Sequence, residues 1–248
     1  MIRWNRKTYF QVLLRTFTLQ ASWNFEQMQS LGLLFAMVPA LRRFYPEDQL
    51  MAVYRRHLVY FNTHPYLAAP LLGAVLKLER QAAEGEPEEI GIHEFKSAVA
   101  APCAAMGDGF FWGALRPVAS AAGLLLAFRG SLWGPVLFLF LFNVPHLWLR
   151  IVGLQRGYGR GFRVVENIQR CRFPDLSMRL KQLLVVLLGI LAAWLIGDRF
   201  QGLGWASMWA LPVIPLTLLL GFLVQKRISP LVLLFLMFLA LLTWFHWN

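Results

Sequence analysis

Charge is scarce in this sequence. Only 15% of the residues are Asp, Glu, Lys or Arg, against about 25% in an ordinary soluble domain, while 58% are hydrophobic. That balance excludes a water-soluble globule and points to an integral membrane protein. Cysteine is almost absent. Cys103 and Cys171 stand in different surroundings without metal-ligand spacing, which excludes a disulfide framework and a zinc centre. Cys103 reads as a small packing residue and Cys171 as a loop thiol. The first ten residues, MIRWNRKTYF, are basic and amphipathic but have no apolar h-region, so they are expected to remain as an N-terminal arm. Chemistry-bearing motifs are equally sparse. There is no Walker pattern, no histidine pair at helical spacing and no Ser-His-Asp constellation. RGYGRG (156–161) is Gly-rich but has no preceding strand to give it meaning. No cofactor and no metal are expected.

What is present is apolar length and positive charge. The net charge is +11 over 248 residues, yet the basic residues sit in connections beside apolar segments, the topological signal of cytoplasmic loops. No base-reading motif accompanies them, so nucleic acid is not an expected partner. Residues 131–153 are long enough to cross roughly 30 Å of hydrocarbon. Asn143 and Pro145 at their middle predict a kink or break. Apolar runs at 182–197, 205–224 and 231–247 follow. The earlier runs, 31–41 and 65–78, are too short to span alone. Residues 97–128 are long enough but interrupted by Pro102, Asp108, Arg116 and Pro117. Irregular backbone at membrane depth survives only inside protein or beside a watery cavity, and short or broken segments mark transport sites. The expected fold is therefore an all-α integral membrane protein, with broken or re-entrant helices in its N-terminal part and several transmembrane helices after it.

The chain divides, as one membrane domain over 1–248, into an amphipathic arm (1–30), broken segments (31–128) holding an acidic, solvated loop (79–96), a span (131–153), a basic loop (154–181) and C-terminal spans (182–247). Arg156, Arg160, Arg163, Arg170, Arg172, Arg179 and Lys181 against Glu166 and Asp175 place the basic loop in the cytoplasm. Lys226 and Arg227 fall on the same side two spans later, which leaves the C-terminus outside.

Few polar residues lie where they need an explanation. Of thirteen acidic residues, only Asp108 is deep in an apolar run, where a carboxylate costs at least about 2.5 kcal/mol. It either accepts hydrogen bonds from a polar ligand, pairs with a cation such as Arg116, or caps a half-helix beginning near Gly109. SWNFEQMQSLG (22–32) places Asn24, Glu26, Gln27 and Gln29 before an apolar run, as in an interfacial amphipathic helix or a binding edge. In FNTHPYLAAP (61–70), Pro65 holds His64 out of helical geometry and can open a helix running through Leu78. Asn62, Thr63 and His64 then either cap that helix or present an amide, a hydroxyl and an imidazole to a sugar. Asn143 is read as structural, as are His57, His93, His146 and His246.

Four stretches, QASWNFEQMQSLGLLFAMVPALRRFYP, RRHLVYFNTHPYLAAPLLGAVLKLE, MGDGFFWGALRPV and GPVLFLFLFNVPHLWLRIVGLQRGYGRG, resemble in order the blocks of the IID component of the mannose/fructose/sorbose-type sugar phosphotransferase system, over about residues 10–165. The resemblance implies a multi-pass subunit of the bacterial inner (cytoplasmic) membrane. With a IIC partner it would form a sugar-translocating unit, assembled as an oligomer of IIC–IID pairs. Cytoplasmic IIB, supplied by IIA, would phosphorylate the hexose-type sugar. The phosphoryl-carrying residues would lie on IIA and IIB, leaving this chain no enzyme by itself. It also shifts Asn24, Glu26, Asn62, Thr63, His64 and Asp108 toward the sugar pathway. Two departures leave a non-transporting regulatory or scaffold subunit as the alternative. Gly109 stands where the family usually has proline after Asp108, and the C-terminal third is short.

Overall fold

The computed structural model describes residues 5–87, 90–200 and 213–247. Its helices are α1 (Arg6–Thr16), α2 (Ser30–Phe44), α3 (Glu47–His57), α4 (Ala68–Ala83), α5 (Ile92–Gly107), a π-helical segment (Asp108–Leu115), α6 (Arg116–Ala127), α7 (Trp133–Arg160), a 3₁₀ turn (Gly161–Arg163), α8 (Val164–Arg170), α9 (Phe173–Phe200), α10 (Val213–Gln225) and α11 (Pro230–Trp247). Two compact units divide the chain, one up to Leu188 and one from Gly189. Two helical stretches, Ile92–Ala127 and Trp133–Leu195, are long and apolar enough to cross a membrane. The expected run 205–224 lies outside the described residues up to position 212.

The first unit is built around α4. This helix has 16 residues, too few at 1.5 Å each to cross the hydrocarbon alone. From Ala68 to Leu76 every residue of it is buried. A helix apolar on all sides belongs in an interior, and small residues let α7 approach it backbone to backbone. A methyl group added to Gly157 would fall on the carbonyl oxygen of Pro70, and one added to Gly73 would fall on that of Leu154. Close approach of this kind is what small residues supply between apolar helices, where water drives nothing together. Leu33, Ala36, Met37 and Ala40 of α2 and Phe95, Val99 and Cys103 of α5 complete the same core. Cys103 is accordingly a buried packing residue.

Three expectations are corrected. Residues 97–128 do not break. The α5–π–α6 stretch runs helically from Ile92 to Ala127. The π segment offers a reason: Pro117 has no N–H and its ring would crowd the preceding turn of a regular helix, whereas a π turn widens that turn. The backbone N–H of Arg116 reaches Phe111 O, five residues back. Likewise α7 continues unbroken past Asn143 and Pro145 to Arg160, and much of the basic stretch 154–181 is helical. The acidic segment 79–96 is not wholly a solvated loop. Its first residue, Glu79, lies on α4 with no exposed surface, because Arg56 and His57 of α3 and the hydroxyl of Tyr45 hydrogen-bond its carboxylate.

Candidate functional site

The first and second of the four sequence blocks meet in space, joined by backbone bonds and by the polar residues they carry. Asn24 Oδ1 accepts from the backbone N–H groups of Glu26 (3.1 Å) and Gln27 (2.8 Å). The chain then reverses through Met28, whose φ is 55°, so that Met28 N–H returns to Asn24 O at 2.9 Å. This turn sets the strip Gln27–Gln29 against Phe61. Gln29 N–H donates to Phe61 O (2.8 Å) and Phe61 N–H to Gln27 O (3.3 Å). The buried amide of Gln29 then clamps the backbone of Thr63 at both ends, donating from Nε2 to Thr63 O (2.7 Å) and accepting from Thr63 N–H at Oε1 (3.1 Å). Asn24 therefore shapes the turn, and Gln29 fixes the corner that carries His64.

At that corner the peptide bends as Pro65 requires. The N–H of Ala68 reaches His64 O at 3.0 Å, so the first turn of α4 starts from His64. The side chains of Asn62 and Thr63 make no hydrogen bond to that helix among the described residues, and Thr63 Oγ1 is buried without a partner there. Capping therefore falls to His64, whose Nδ1 accepts from Tyr66 N–H while its carbonyl takes the Ala68 N–H, and not to Asn62 or Thr63. His64 is 1% exposed. Its ring lies on Gly107, where any side chain would collide with it, stacks on Phe111 (5.2 Å between centroids, 15°) and meets Trp112 at 4.8 Å. The N–H of Tyr66 donates to His64 Nδ1 at 3.3 Å, which leaves the ring proton of a neutral imidazole on Nε2. Burial, with the charge of Arg150 adding to it, pushes this imidazole down to about 4, so it stays neutral at physiological pH. Its Nε2 is buried with no partner among the described residues. A buried donor left unsatisfied costs about 1–3 kcal/mol, and such a group asks for an acceptor.

A second imidazole stands on the other side of Tyr66. His146 of α7 stacks on the tyrosine ring at 4.2 Å and 13°. Asn143 settles its tautomer: Asn143 Nδ2 donates to Leu139 O (2.8 Å), turning Oδ1 toward His146 Nε2 at 2.9 Å. His146 Nδ1 is then an acceptor, buried and without a donor among the described residues. An open donor and an open acceptor flank one aromatic ring, the complement of a hydroxyl group, which both gives and takes a hydrogen bond. Arg150, 5% exposed, donates to Thr16 O at 2.6 Å and lies over the rings of Phe17 and Tyr66.

The other expected residues are placed differently. Asp108 is exposed, makes no ion pair within 4.0 Å among the described residues and caps nothing. Arg116 is exposed and likewise unpaired with it. Both follow from the continuous helix, in which the two side chains stand two turns apart and no half-helix begins at Gly109. Glu26 is exposed, and Asn62 half-buried. Tyr66 and Arg150 belong to this constellation without having been named from the sequence, which read Gln29 only as part of a polar edge and His146 as structural. Gln29 lies in the SWNFEQMQ block, and His146 follows Asn143 at the i, i+3 spacing of helical neighbours; those were the available signals.

A helical membrane protein, with two helices among the described residues long and apolar enough to cross a bilayer and a buried polar corner, defines the class. The model of the PTS system mannose/fructose/sorbose family IID component matches residues 3–201, and the chain belongs to that family. The mannose-specific EIID component of Escherichia coli (strain K12) is 47% identical over 160 residues, 63% of this chain and 56% of that protein. The sorbose-specific EIID component of Lacticaseibacillus casei is 35% identical over 251 residues, 88% of this chain and 85% of that protein. The matched region thus spans just over half the length of the mannose relative. A chain in the cryo-EM structure of the mannose transporter ManYZ with microcin E492 has a TM-score of 0.62 and 32% identity, covering 100% of this chain and 98% of that one.

Proposed function

We propose that the chain is the IID membrane subunit of a sugar phosphotransferase transporter. It lies in the bacterial inner membrane and forms with a IIC subunit the unit through which a hexose-type sugar crosses. IIB phosphorylates the arriving sugar, and this chain carries no phosphoryl group of its own. The observation that carries the reading is Asp108, an exposed carboxylate within the apolar span Ile92–Ala127. Lipid does not tolerate such a group, and it has no ion-pair partner among the described residues, so we take the partner to come from outside: a sugar hydroxyl, the IIC subunit, or both. Four residues on, Trp112 is 44% exposed and touches His64, which links the surface carboxylate to the buried corner. In this reading Thr63, His64 and Asp108 face the sugar path, with Asn62 and Glu26 at its edge and Asn24 and Gln29 holding its backbone.

The test is co-expression with IIC, IIB and IIA and uptake of labelled hexoses. Asp108→Asn is expected to cut sugar-phosphate accumulation at least tenfold at an unchanged amount of complex, since the exposed side chain makes no ion pair among the described residues. Uptake at the wild-type rate by that variant refutes the role of Asp108. A stable wild-type complex that accumulates no sugar phosphate refutes the transporter reading.

A further inference from the structure

Residues Trp148, Val152, Arg156 and Arg160 are spaced four apart on α7 and so fall along one stripe of that helix. The stripe changes character midway, apolar at its first two positions and cationic at its last two. It forms one wall of a cleft of about 370 Å³, closed on the other side by α8 and the start of α9, where Arg170 and Phe173 contribute. The apolar wall is open: Trp148 is 54% exposed, and the Arg156 guanidinium lies 5.7 Å from its ring. The polar end is set up as well. Arg160 Nη1 donates to Asn167 Oδ1 at 2.6 Å, and Asn167 Nδ2, which is buried, has no acceptor among the described residues. Three arginines and an unused amide donor converge there, and no carboxylate is among the described residues that line the cleft.

We infer that this cleft is a binding site for one anionic phospholipid, its phosphate held by Arg156, Arg160 and Arg170 and its acyl chain laid along Trp148, Val152 and Phe173. Charge complementarity selects the headgroup. The position selects a lipid over a soluble phosphate, because the cleft opens where the stretch Trp133–Leu195, long and apolar enough to span, turns from apolar to basic. Basic clefts at the end of a span are where acidic lipids lodge. The inference does not depend on the transport reading.

The experiment titrates the full chain, purified with its IIC partner in mild detergent, with phosphatidylglycerol and with phosphatidylcholine, counting bound lipid by native mass spectrometry. Phosphatidylglycerol is expected to bind at least tenfold more tightly. The double variant R156Q/R170Q is expected to lose about 30-fold, equivalent to about 1 kcal/mol per arginine. R156K/R170K, which keeps the charge, is expected to retain most of the affinity. Both arginines are exposed, so the variants should assemble with IIC as the wild type does. Equal binding of the two lipids, an unchanged affinity in the glutamine variant, or equal losses in both variants would each overturn the inference. Displacement of phosphatidylglycerol by millimolar inorganic phosphate would also overturn it, since the cleft would then be a phosphate site without a lipid component.

Discussion

Glu79 is the most heavily committed polar residue of the first unit, and replacing it by glutamine should be the most damaging isosteric change. Its carboxylate has no exposed surface and collects donors from two residues of α3 and from Tyr45, the residue that follows α2. Tyr45 Oη donates at 2.8 Å, Arg56 Nε at 3.0 Å and His57 Nε2 approaches to 2.7 Å, with a second, closer contact from Arg56 Nη2. Lys96 of α5, 2% exposed, lies 3.4 Å from His57 Nδ1. An ammonium can only donate, so Nδ1 accepts and the proton of neutral His57 sits on Nε2, aimed at Glu79. Among the described residues the carboxylate is thus the anion that serves Arg56 and Lys96, one beside it and one relayed through an imidazole. Glutamine has one acceptor oxygen where four donors converge, and it leaves Lys96 buried without a countercharge. Breaking a buried pair costs about 3–5 kcal/mol. Because the Arg56 side chain is 40% exposed and stays hydrated, the lower end applies, about 3 kcal/mol.

At about 2–4 °C per kcal/mol for a chain of this size, Glu79→Gln should lower Tm by about 6–12 °C, measured on the detergent-solubilised complex by thermal unfolding with a size-exclusion readout. Lys96→Met alone should change Tm little, since Glu79 keeps Arg56. The double variant Glu79→Gln/Lys96→Met should recover part of the loss, because the stranded cation is gone. A Glu79→Gln variant within about 2 °C of wild type, or a double variant no more stable than the single one, would refute the countercharge argument.

Further expectations follow from the same geometry. Gly157→Ala puts a methyl group on the backbone of Pro70 and should cost about 3 kcal/mol or more. Gly159→Ala, two residues on with nothing within 4 Å, should be neutral or stabilising by up to about 1 kcal/mol; parallel Tm values decide. Acid should loosen the α3–α4 contact. Burial lowers His57 more than Glu79 raises it. Burial alone would raise Glu79, but the His57 hydrogen bond and the Arg56 charge outweigh it and bring it down. Both folded-state values therefore lie below the unfolded ones. The His57 contribution is full above about pH 6.5 and fades as pH falls through that value; the Glu79 contribution fades below about pH 4.5. Stability profiles from pH 7.5 to 4 should decline in that order, and a flat profile would count against the network. Asn143→Leu frees His146 from its fixed tautomer and should reduce sugar uptake while Tm falls by less than about 4 °C; unchanged uptake removes His146 from the site.

How much of this was legible in the sequence depends on what each residue's environment is made of. The apolar balance and the family's ordered blocks could be read from composition and order, because both are local properties of the chain. The break expected at Asp108–Pro117 was not realised, since a π turn absorbs a proline that periodicity alone treats as a terminator. Glu79 shows the limit most clearly. In sequence it opens an acidic, Gly- and Pro-punctuated stretch and has the same character as Glu84, Glu86 and Glu94. It alone is fully buried among cations because α3 and α5 bring Arg56, His57 and Lys96 to it from 23, 22 and 17 positions away. Burial of a charge is decided by such long-range partners, and no local pattern encodes them. Asp108 is the mirror case. Its apolar neighbours mark it as buried, yet it lies on the surface with no ion-pair partner among the described residues. A carboxylate that is costly in lipid and has no such partner asks for its environment to be completed by another molecule. The residue that the sequence misplaced is therefore also the one that argues most directly for a partner at the site.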